Sequence, residues 1–236
     1  MEIENVNVRE YGSAPHKAIV LHGGPGAPGS AAGICKGLCD DFGVLEHLQT
    51  SYSIDGLISE ILDIYDKYGI EKTTIIGHSF GAWLALMFAE KYPEKVKKVI
   101  VVGCPPLEQK YLLNIIKTRN KRHKKVIHSD LYCPLPNSGS DMIRFDDEQF
   151  KALMDEATIL RIRGKLLSSV LNVSRPIVAI HGDFDPHPIK GITKPIGGRL
   201  KNLEMIVLKK CGHEPWKEKY ARDEFFNIVK EQIKYF

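Results

Sequence analysis

The chain has 236 residues, a length that fits one domain with a sizeable core and leaves no room for a second large domain. Its residues are 43% hydrophobic and 26% charged, with 20 glycines and 13 prolines, which excludes the disordered, collagen-like and fibrous classes. The formal net charge of +4 is too small to indicate a nucleic-acid groove, so no nucleic-acid partner is expected.

The cysteines and the N-terminal sequence indicate the compartment. The cysteines form an odd, scattered set that suits a reducing environment, and they are interpreted as packing residues: Cys35, Cys39, Cys104, Cys133 and Cys211. The N-terminus carries acidic residues and no apolar run, so no secretory signal is expected. No window reaches about 18 uninterrupted apolar residues, so we expect a cytoplasmic protein without a membrane partner.

Strand and helix signals alternate along much of the chain. Runs rich in β-branched residues predict strands at Lys17–Leu21, Thr73–Ile76, Val96–Val102, Pro176–Ile180 and Leu203–Leu208, with a weaker candidate at Phe42–Leu48. Helical periodicity predicts an amphipathic helix at about Ile54–Tyr68, with Gly69 as its C′ residue, and a buried helix at about Phe80–Tyr92. This alternation predicts an α/β fold with a mainly parallel sheet and helices on both faces.

The alternation breaks between about Pro105 and Val173. Two or three helix-like stretches replace it there, so residues 105–173 are predicted to form a helical cap inserted in a core of residues 1–104 and 174–236. A dense basic run in this interval is interpreted as the solvated face of a helix: Lys117, Arg119, Lys121, Arg122, Lys124 and Lys125.

A Gly-x-Ser-x-Gly sequence, Gly77-His78-Ser79-Phe80-Gly81, stands between a predicted strand and the predicted buried helix. This is the context of a nucleophile elbow, in which the turn is so tight that the flanking residues must be glycines. We therefore predict that Ser79 is a nucleophile presented at the carboxyl end of the sheet.

A serine nucleophile requires a general base, and the base requires a carboxylate that fixes its tautomer. His213 follows the last predicted strand within Cys211-Gly212-His213-Glu214-Pro215-Trp216, and it is predicted to be the base. Two acids follow the preceding strand. Asp185 is preferred as the orienting acid, because it stands further from the strand end, and Asp183 is expected to hold the turn through a backbone hydrogen bond.

The glycine-rich sequence His22-Gly23-Gly24-Pro25-Gly26 follows the first predicted strand. Such a loop can turn backbone N–H groups toward a ligand, so the N–H groups of Gly24 and Phe80 are predicted to form an oxyanion hole. The loop has neither the dinucleotide nor the P-loop spacing, which disfavours a phosphate site.

Aromatic residues near these motifs are candidates for an apolar substrate pocket, namely Trp83, Phe145 and Trp216. The remaining histidines are interpreted as strand-end or surface residues: His16, His22, His47, His78, His123, His128, His181 and His187.

The four motifs at 22–26, 77–81, 181–186 and 211–216 together resemble the α/β-hydrolase superfamily over nearly the whole chain. The HGGPG sequence is similar to the proline iminopeptidase branch, in which its second glycine, here Gly24, and the residue after the nucleophile, here Phe80, supply the oxyanion donors. The sequence departs from that branch at Leu45–Thr50, where an Asp-Gln-Arg-Gly-like segment is usual, and its cap candidate is modest in size. The short region before Lys17 implies that one or two of the family's antiparallel edge strands are missing.

The leading hypothesis is a serine hydrolase that cleaves a small ester, thioester or amide, with no metal or organic cofactor. An aminopeptidase that removes N-terminal proline is the second, since cap carboxylates could bind the substrate's ammonium group. The third is a non-catalytic ligand-binding protein with the same fold.

Overall fold

The computed structural model describes residues 7–123, 130–136 and 141–234. Its centre is a seven-stranded sheet made of β1 (Val8–Tyr11), β2 (His16–Leu21), β3 (Gly43–His47), β4 (Thr73–His78), β5 (Val96–Val102), β6 (Ile177–Gly182) and β7 (Leu203–Leu208). The strand order is β1-β3-β2-β4-β5-β6-β7. Strand β1 pairs antiparallel with β3, and every other pair is parallel.

Alternate residues of the central strands point to opposite faces of the sheet, as the period of a strand requires. Ile19 and Leu21 belong to the core on one face, whereas Ala18 and Val20 belong to the core on the other. Both faces are thus buried, which explains why these strands appear in the sequence as continuous apolar runs rather than alternating ones.

Helices cover both faces. The described helices are α1 (Ala32–Leu38), α2 (Ile54–Lys67), α3 (Phe80–Lys91), α4 (Leu112–His123), α5 (Asp147–Ile162), α6 (Lys165–Asn172), α7 (Lys190–Ile196) and α8 (Arg222–Lys234). Helices α1 and α8 pack on one face, and α2, α3, α6 and α7 pack on the other. The predicted α/β architecture, with a mainly parallel sheet covered on both sides, is confirmed.

Local signals explain how α2 begins and ends. The Ser53 side chain accepts a hydrogen bond from the backbone N–H of Gly56, which caps the first turn. Gly69 lies just beyond the last turn with a φ of +59°, a conformation that glycine adopts without steric cost. Between these ends the buried residues, including Leu57, Ile61 and Ile64, repeat at helical spacing.

The segment that carries α4 and α5 leaves the sheet after β5 and returns at β6, and these two strands are hydrogen-bonded neighbours. One tie to the body of the molecule comes from Gln149 on α5, whose buried side chain donates to the carbonyl oxygens of Gln49 (3.0 Å) and Ser51 (2.9 Å). The division into a core and a cap at residues 105–173 stays a prediction. No described helix combines the length and the apolarity that a membrane crossing demands.

Candidate active site

Ser79 occupies a strained turn between β4 and α3. Its φ is +52° and its ψ is −117°, a combination that residues other than glycine rarely adopt and that is associated with functional sites. The flanking glycines make the turn possible. A Cβ at Gly77 would lie 2.1 Å from the carbonyl oxygen of Gly81, and a Cβ at Gly81 would lie 2.3 Å from that of Leu21.

The glycine-rich loop after β2 lies directly against this turn. A Cβ at Gly23 would lie 2.7 Å from the Cβ of Ser79, so only glycine allows the approach. The next residue, Gly24, has a φ of +59° and lines the same cavity as Ser79 and Phe80. Phe80 is the first residue of α3, where backbone N–H groups have no acceptor within the helix. The two N–H groups predicted as oxyanion donors therefore belong to residues that border one cavity with Ser79.

His213 and Asp185 are brought together from different loops. Nδ1 of His213 lies 2.8 Å from Oδ2 of Asp185, and both side chains are buried. Since an ionised carboxylate only accepts hydrogen bonds, Nδ1 carries the proton and Nε2 of His213 has the lone pair. Asp183 lies in the same loop, but its Oδ1 accepts from the backbone N–H of Cys211 at 3.3 Å, so it joins this loop to the one that carries His213 and does not hold its own turn as expected.

Asp185 and His213 each stabilise the charged form of the other. Burial opposes ionisation of Asp185, but the nearby His213 and hydrogen bonds from His187 and His213 outweigh it and hold the pKa of Asp185 well below its usual range. Burial would likewise lower the pKa of His213, but the Asp185 carboxylate outweighs it, and the pKa of His213 is raised above its ordinary value. The pair is therefore arranged to stabilise an imidazolium at His213.

A second histidine shares the carboxylate, and the interpretation of His187 as a strand-end or surface residue is wrong. His187 is buried, and both its backbone N–H and its Nδ1 donate to Oδ1 of Asp185 at 2.8 Å. Its ring lies 4.4 Å from the ring of His213, centroid to centroid. Burial lowers the pKa of His187 to about 4, so this ring is neutral near pH 7 and gives Asp185 a hydrogen bond without a competing charge.

Two further buried histidines support these loops. The ring centres of His78 and His213 lie 4.7 Å apart, and Nε2 of His78 is 3.1 Å from the backbone carbonyl oxygen of His213. Burial keeps the pKa of His78 well below its usual range, so His78 is neutral and donates that hydrogen bond. Nε2 of His181 lies 2.8 Å from the carbonyl oxygen of His187. His78 and His181 thus fix the backbone carbonyl groups of His213 and His187, the two histidines that contact Asp185.

The loop that carries His213 is held by a buried glutamate that the sequence did not single out. Glu218 is fully buried, and its carboxylate accepts from the backbone N–H groups of Gly212 (2.6 Å), Tyr132 (2.6 Å) and Cys133 (2.7 Å). The Glu218 carboxylate thus accepts three backbone hydrogen bonds that the carbonyl groups of a neighbouring strand would otherwise accept. Glu218 therefore joins the His213 loop to the segment at 130–136.

We expect Glu218→Ala to destabilise the protein strongly. The change leaves three buried N–H groups without an acceptor, at about 1–3 kcal/mol each, so a fall in Tm of more than about 6 °C is expected in a thermal melt. Glu214→Gln is the matched control, because Glu214 lies in the same loop and its carboxylate pairs with the Lys217 ammonium at 2.8 Å. A melt in which both variants behave alike would contradict this role of Glu218.

A cavity of about 350 Å³ opens at Ser79 and His213. Its lining is mostly apolar and includes Gly24, Pro25, Phe80, Trp83, Pro105, Leu112, Ile115, Ile116, Arg119, Phe150, Met154, Thr158, Arg161 and His187. Of the aromatic residues predicted for the pocket, only Trp83 lines this cavity. Trp216 is buried behind the site, with its ring 4.7 Å from that of His78, and Phe145 borders a separate groove and contacts Phe150. The pocket predictions for Trp216 and Phe145 are corrected accordingly, because Trp216 packs into the core that α1 and α8 form on one face of the sheet and Phe145 lies at the other groove.

The basic run is not simply a solvated face. Arg119 on α4 lines the cavity and forms a two-point contact with the carboxylate of Asp130, in which Nε lies 2.9 Å from Oδ1. The backbone carbonyl oxygen of Asp130 also accepts a hydrogen bond from the backbone N–H of His213 at 2.7 Å. Lys124 and Lys125 lie outside the described residues.

Asp185, His187 and His213 also form a group whose donor atoms lie within 4.8 Å of one another, a spacing that a metal ion could use. Both Nδ1 atoms approach the carboxylate at 2.8 Å, and both carry the protons that they donate to it. Protonated nitrogens have no lone pair for a metal, so the geometry fits a hydrogen-bonded acid–base group.

Comparisons with known proteins agree with this architecture. Residues 24–121 match the family model of the alpha/beta hydrolase fold. A serine hydrolase of Cycloclasticus zankles superposes with a TM-score of 0.70 at 23% identity, over 94% of this chain and 92% of that chain. A 2-hydroxy-6-oxo-6-phenylhexa-2,4-dienoate hydrolase of Rhodococcus sp. strain RHA1 superposes with a TM-score of 0.68 at 22% identity, over 96% and 94% of the two chains.

The chain therefore has the α/β-hydrolase fold. Among curated proteins it is similar to epoxide hydrolase 4 of Mus musculus, at 44% identity over 57 residues, which are 24% of this chain and 16% of that protein. The match thus spans about a sixth of that relative's length. The two solved structures share the fold of this chain at 22–23% sequence identity.

Proposed function

We propose that this protein is a serine hydrolase that cleaves a small ester, thioester or amide through an acyl-enzyme intermediate. The contact that carries the proposal is the 2.8 Å hydrogen bond between Nδ1 of His213 and Oδ2 of Asp185, beside a strained Ser79 that borders the same cavity as His213. The α/β-hydrolase fold of the chain supports a hydrolase of this class.

In the proposed reaction, the Ser79 hydroxyl attacks the substrate carbonyl while Nε2 of His213 takes its proton. Asp185 stabilises the imidazolium, and the N–H groups of Gly24 and Phe80 stabilise the oxyanion, each such donor contributing about 2.7–4 kcal/mol. The proton on Nε2 then passes to the leaving alcohol, thiol or amine as its bond to the carbonyl carbon breaks. Nε2 of His213 then takes a proton from a water molecule that attacks the acyl-enzyme, and it returns this proton to Oγ of Ser79 as the bond to the acyl carbon breaks and the acid is released.

The direct test is the intact mass of the protein after incubation with a fluorophosphonate probe. We expect a single adduct on the wild type and none on Ser79→Ala, because only an activated serine displaces fluoride from the probe at a useful rate. A folded wild-type protein that gains no adduct would favour a non-catalytic ligand-binding protein. An adduct that persists in Ser79→Ala would assign the nucleophile to another residue.

A proline iminopeptidase-like aminopeptidase is the alternative that the HGGPG resemblance raised. That activity needs a carboxylate near the scissile bond for the substrate's ammonium group, and no Asp or Glu of the described residues lines the cavity at Ser79. Asp146 and Glu148 of the cap border a separate groove instead. Efficient turnover of a prolyl arylamide would nevertheless support the aminopeptidase.

A further inference from the structure

A buried arginine borders the cavity at Ser79 on the side of helix α5. Arg161 is only 4% exposed, and its guanidinium carbon lies 4.5 Å from the centre of the Trp83 ring. The Trp83 ring is itself fixed, because its Nε1 donates to the carbonyl oxygen of Pro105 at 3.1 Å. Arg161 is thus held against a rigid aromatic wall of the cavity.

Among the residues that the structure describes, no carboxylate forms an ion pair with the Arg161 guanidinium. Its polar contact is a long one, 3.5 Å from a terminal nitrogen to Oε1 of Gln109, and its buried Nε has no hydrogen-bond acceptor. Arg161 is not among the described residues that have a further contact, and no ion pair joins it to a carboxylate within residues 7–123, 130–136 and 141–234. An arginine stays protonated even when buried, so an unpaired one costs stability.

None of the described residues that line the cavity carries a negative charge to compensate for Arg161. Its other cation, Arg119, is already paired with Asp130. Asp185 lies behind His213 and His187, which use both of its oxygens. An anionic group in this cavity would therefore meet one uncompensated guanidinium between apolar walls.

Arg161 contacts the ring of Trp83, and Trp83 lies one helical turn beyond Ser79. Trp83 follows Ser79 by four residues on α3, which corresponds to about 6 Å along the helix axis. A group bound at Arg161 would consequently be a substituent several bonds from the scissile carbonyl, and Arg161 is not a substitute for the oxyanion donors.

We propose that Arg161 is the binding subsite for a carboxylate on the substrate, so that the natural substrate is an acidic ester, thioester or amide. A guanidinium presents paired N–H donors that match the two oxygens of a carboxylate, and a monoanion balances the single unpaired charge. The inference deepens the proposed function and depends on it for the reaction, although the anion site can be tested separately.

The kinetic test compares an acidic ester with a neutral one of matched length, para-nitrophenyl hemiadipate and para-nitrophenyl hexanoate. We expect Arg161→Met to lower the ratio of their kcat/KM values by about 10- to 100-fold, mainly through KM, because one charge-assisted contact is lost. Arg161→Lys keeps the positive charge, so its ratio should fall between those of the wild type and Arg161→Met. Arg163→Met is the matched control, because Arg163 is exposed two residues later and should leave the ratio unchanged.

The carboxylate can lie on either side of the scissile bond, so a second pair places it in the leaving group: the acetyl ester of 4-hydroxyphenylacetate against phenyl acetate. A drop in the ratio for either pair supports the subsite and identifies the side. Equal losses for the acidic and neutral esters of both pairs would overturn it and assign Arg161 a structural role.

Binding separates a failed subsite from a failed reaction. We expect adipate to bind the Ser79→Ala protein in a calorimetric titration, and to bind Ser79→Ala/Arg161→Met at least about tenfold more weakly. If no ester is hydrolysed but this difference is found, the anion subsite stands and the hydrolase proposal fails. If neutral esters are hydrolysed but adipate binds neither protein, the subsite is overturned and the hydrolase proposal stands.

A thermal melt excludes a purely structural explanation. Replacing an unpaired buried charge with an apolar side chain of similar length is neutral or stabilising, so Arg161→Met should have a Tm equal to or above that of the wild type. A marked fall in Tm would show that contacts within the protein stabilise Arg161, and it would contradict the proposal.

Discussion

Replacing Ser79 with Ala is expected to lower kcat toward a para-nitrophenyl ester by about a million-fold, since removal of the nucleophile from a serine triad has an effect of this size. The fold should survive, because the substituted hydroxyl caps no helix and alanine retains the Cβ that borders Gly23. Steady-state kinetics on the purified variant, with a thermal melt alongside, would measure both quantities.

A serine remote from the cavity provides the control for this experiment. Ser59 is exposed on α2, and its hydroxyl donates to the carbonyl oxygen of Asp55 at 3.1 Å. Ser59→Ala should therefore keep the wild-type kcat. If Ser79→Ala instead retained more than about one hundredth of the wild-type kcat while remaining folded, the covalent mechanism would have to be abandoned.

The residues at the candidate site could be found in the sequence because each follows a strand of the parallel part of the sheet. Strands β2, β4, β6 and β7 end at Leu21, His78, Gly182 and Leu208, and their carboxyl ends meet at one edge of the sheet. Gly24, Ser79, Asp185 and His213 come within a few residues of those ends. Apolar β-branched runs identify such strands, so the sequence alone was sufficient to predict which distant loops converge.

Other parts of the fold have weaker local signals. Helix α7 contains Gly191 and Pro195, which disfavour helix in isolation, and its formation depends on the burial of Ile192 and Ile196 against the core. Strand β1 has four residues and pairs only with β3, so its short charged sequence resembled a loop. One antiparallel edge strand thus precedes Lys17, which is compatible with the expectation that one or two of the family's edge strands are missing.

Residues that act through tertiary contacts had no sequence signal at all. His187 is two residues from Asp185, but its hydrogen bonds to that carboxylate depend on how the loop curls. Arg161 resembles any charge on an amphipathic helix until α5 is placed over Trp83. The strand pattern likewise does not show that Phe145 borders another groove or that Trp216 packs against α1 and α8 instead of lining the cavity.

The carboxylate of Asp185 provides the second large effect, with Asp185→Asn expected to lower kcat by about ten-thousand-fold. The hydrogen bonds at His187 fix which way an asparagine would lie. Two donors, the backbone N–H and Nδ1 of His187, point at the Oδ1 position, so the amide oxygen stays there and the amide NH2 faces His213. That NH2 can only donate, which forces the proton of His213 onto Nε2 and removes the base that Ser79 needs.

The same variant should change the pH dependence in a defined direction. Activity requires neutral His213, and the Asp185 carboxylate raises the pKa of His213, so the wild-type kcat/KM should fall on the acid side with a midpoint above 6.5. Without the carboxylate the pKa of His213 falls, and the residual activity of Asp185→Asn should persist to lower pH.

Asp183→Asn is the matched control and should lose less than about tenfold in kcat, because an amide oxygen can still accept from the N–H of Cys211. A larger loss in Asp183→Asn than in Asp185→Asn would assign the orienting role to Asp183.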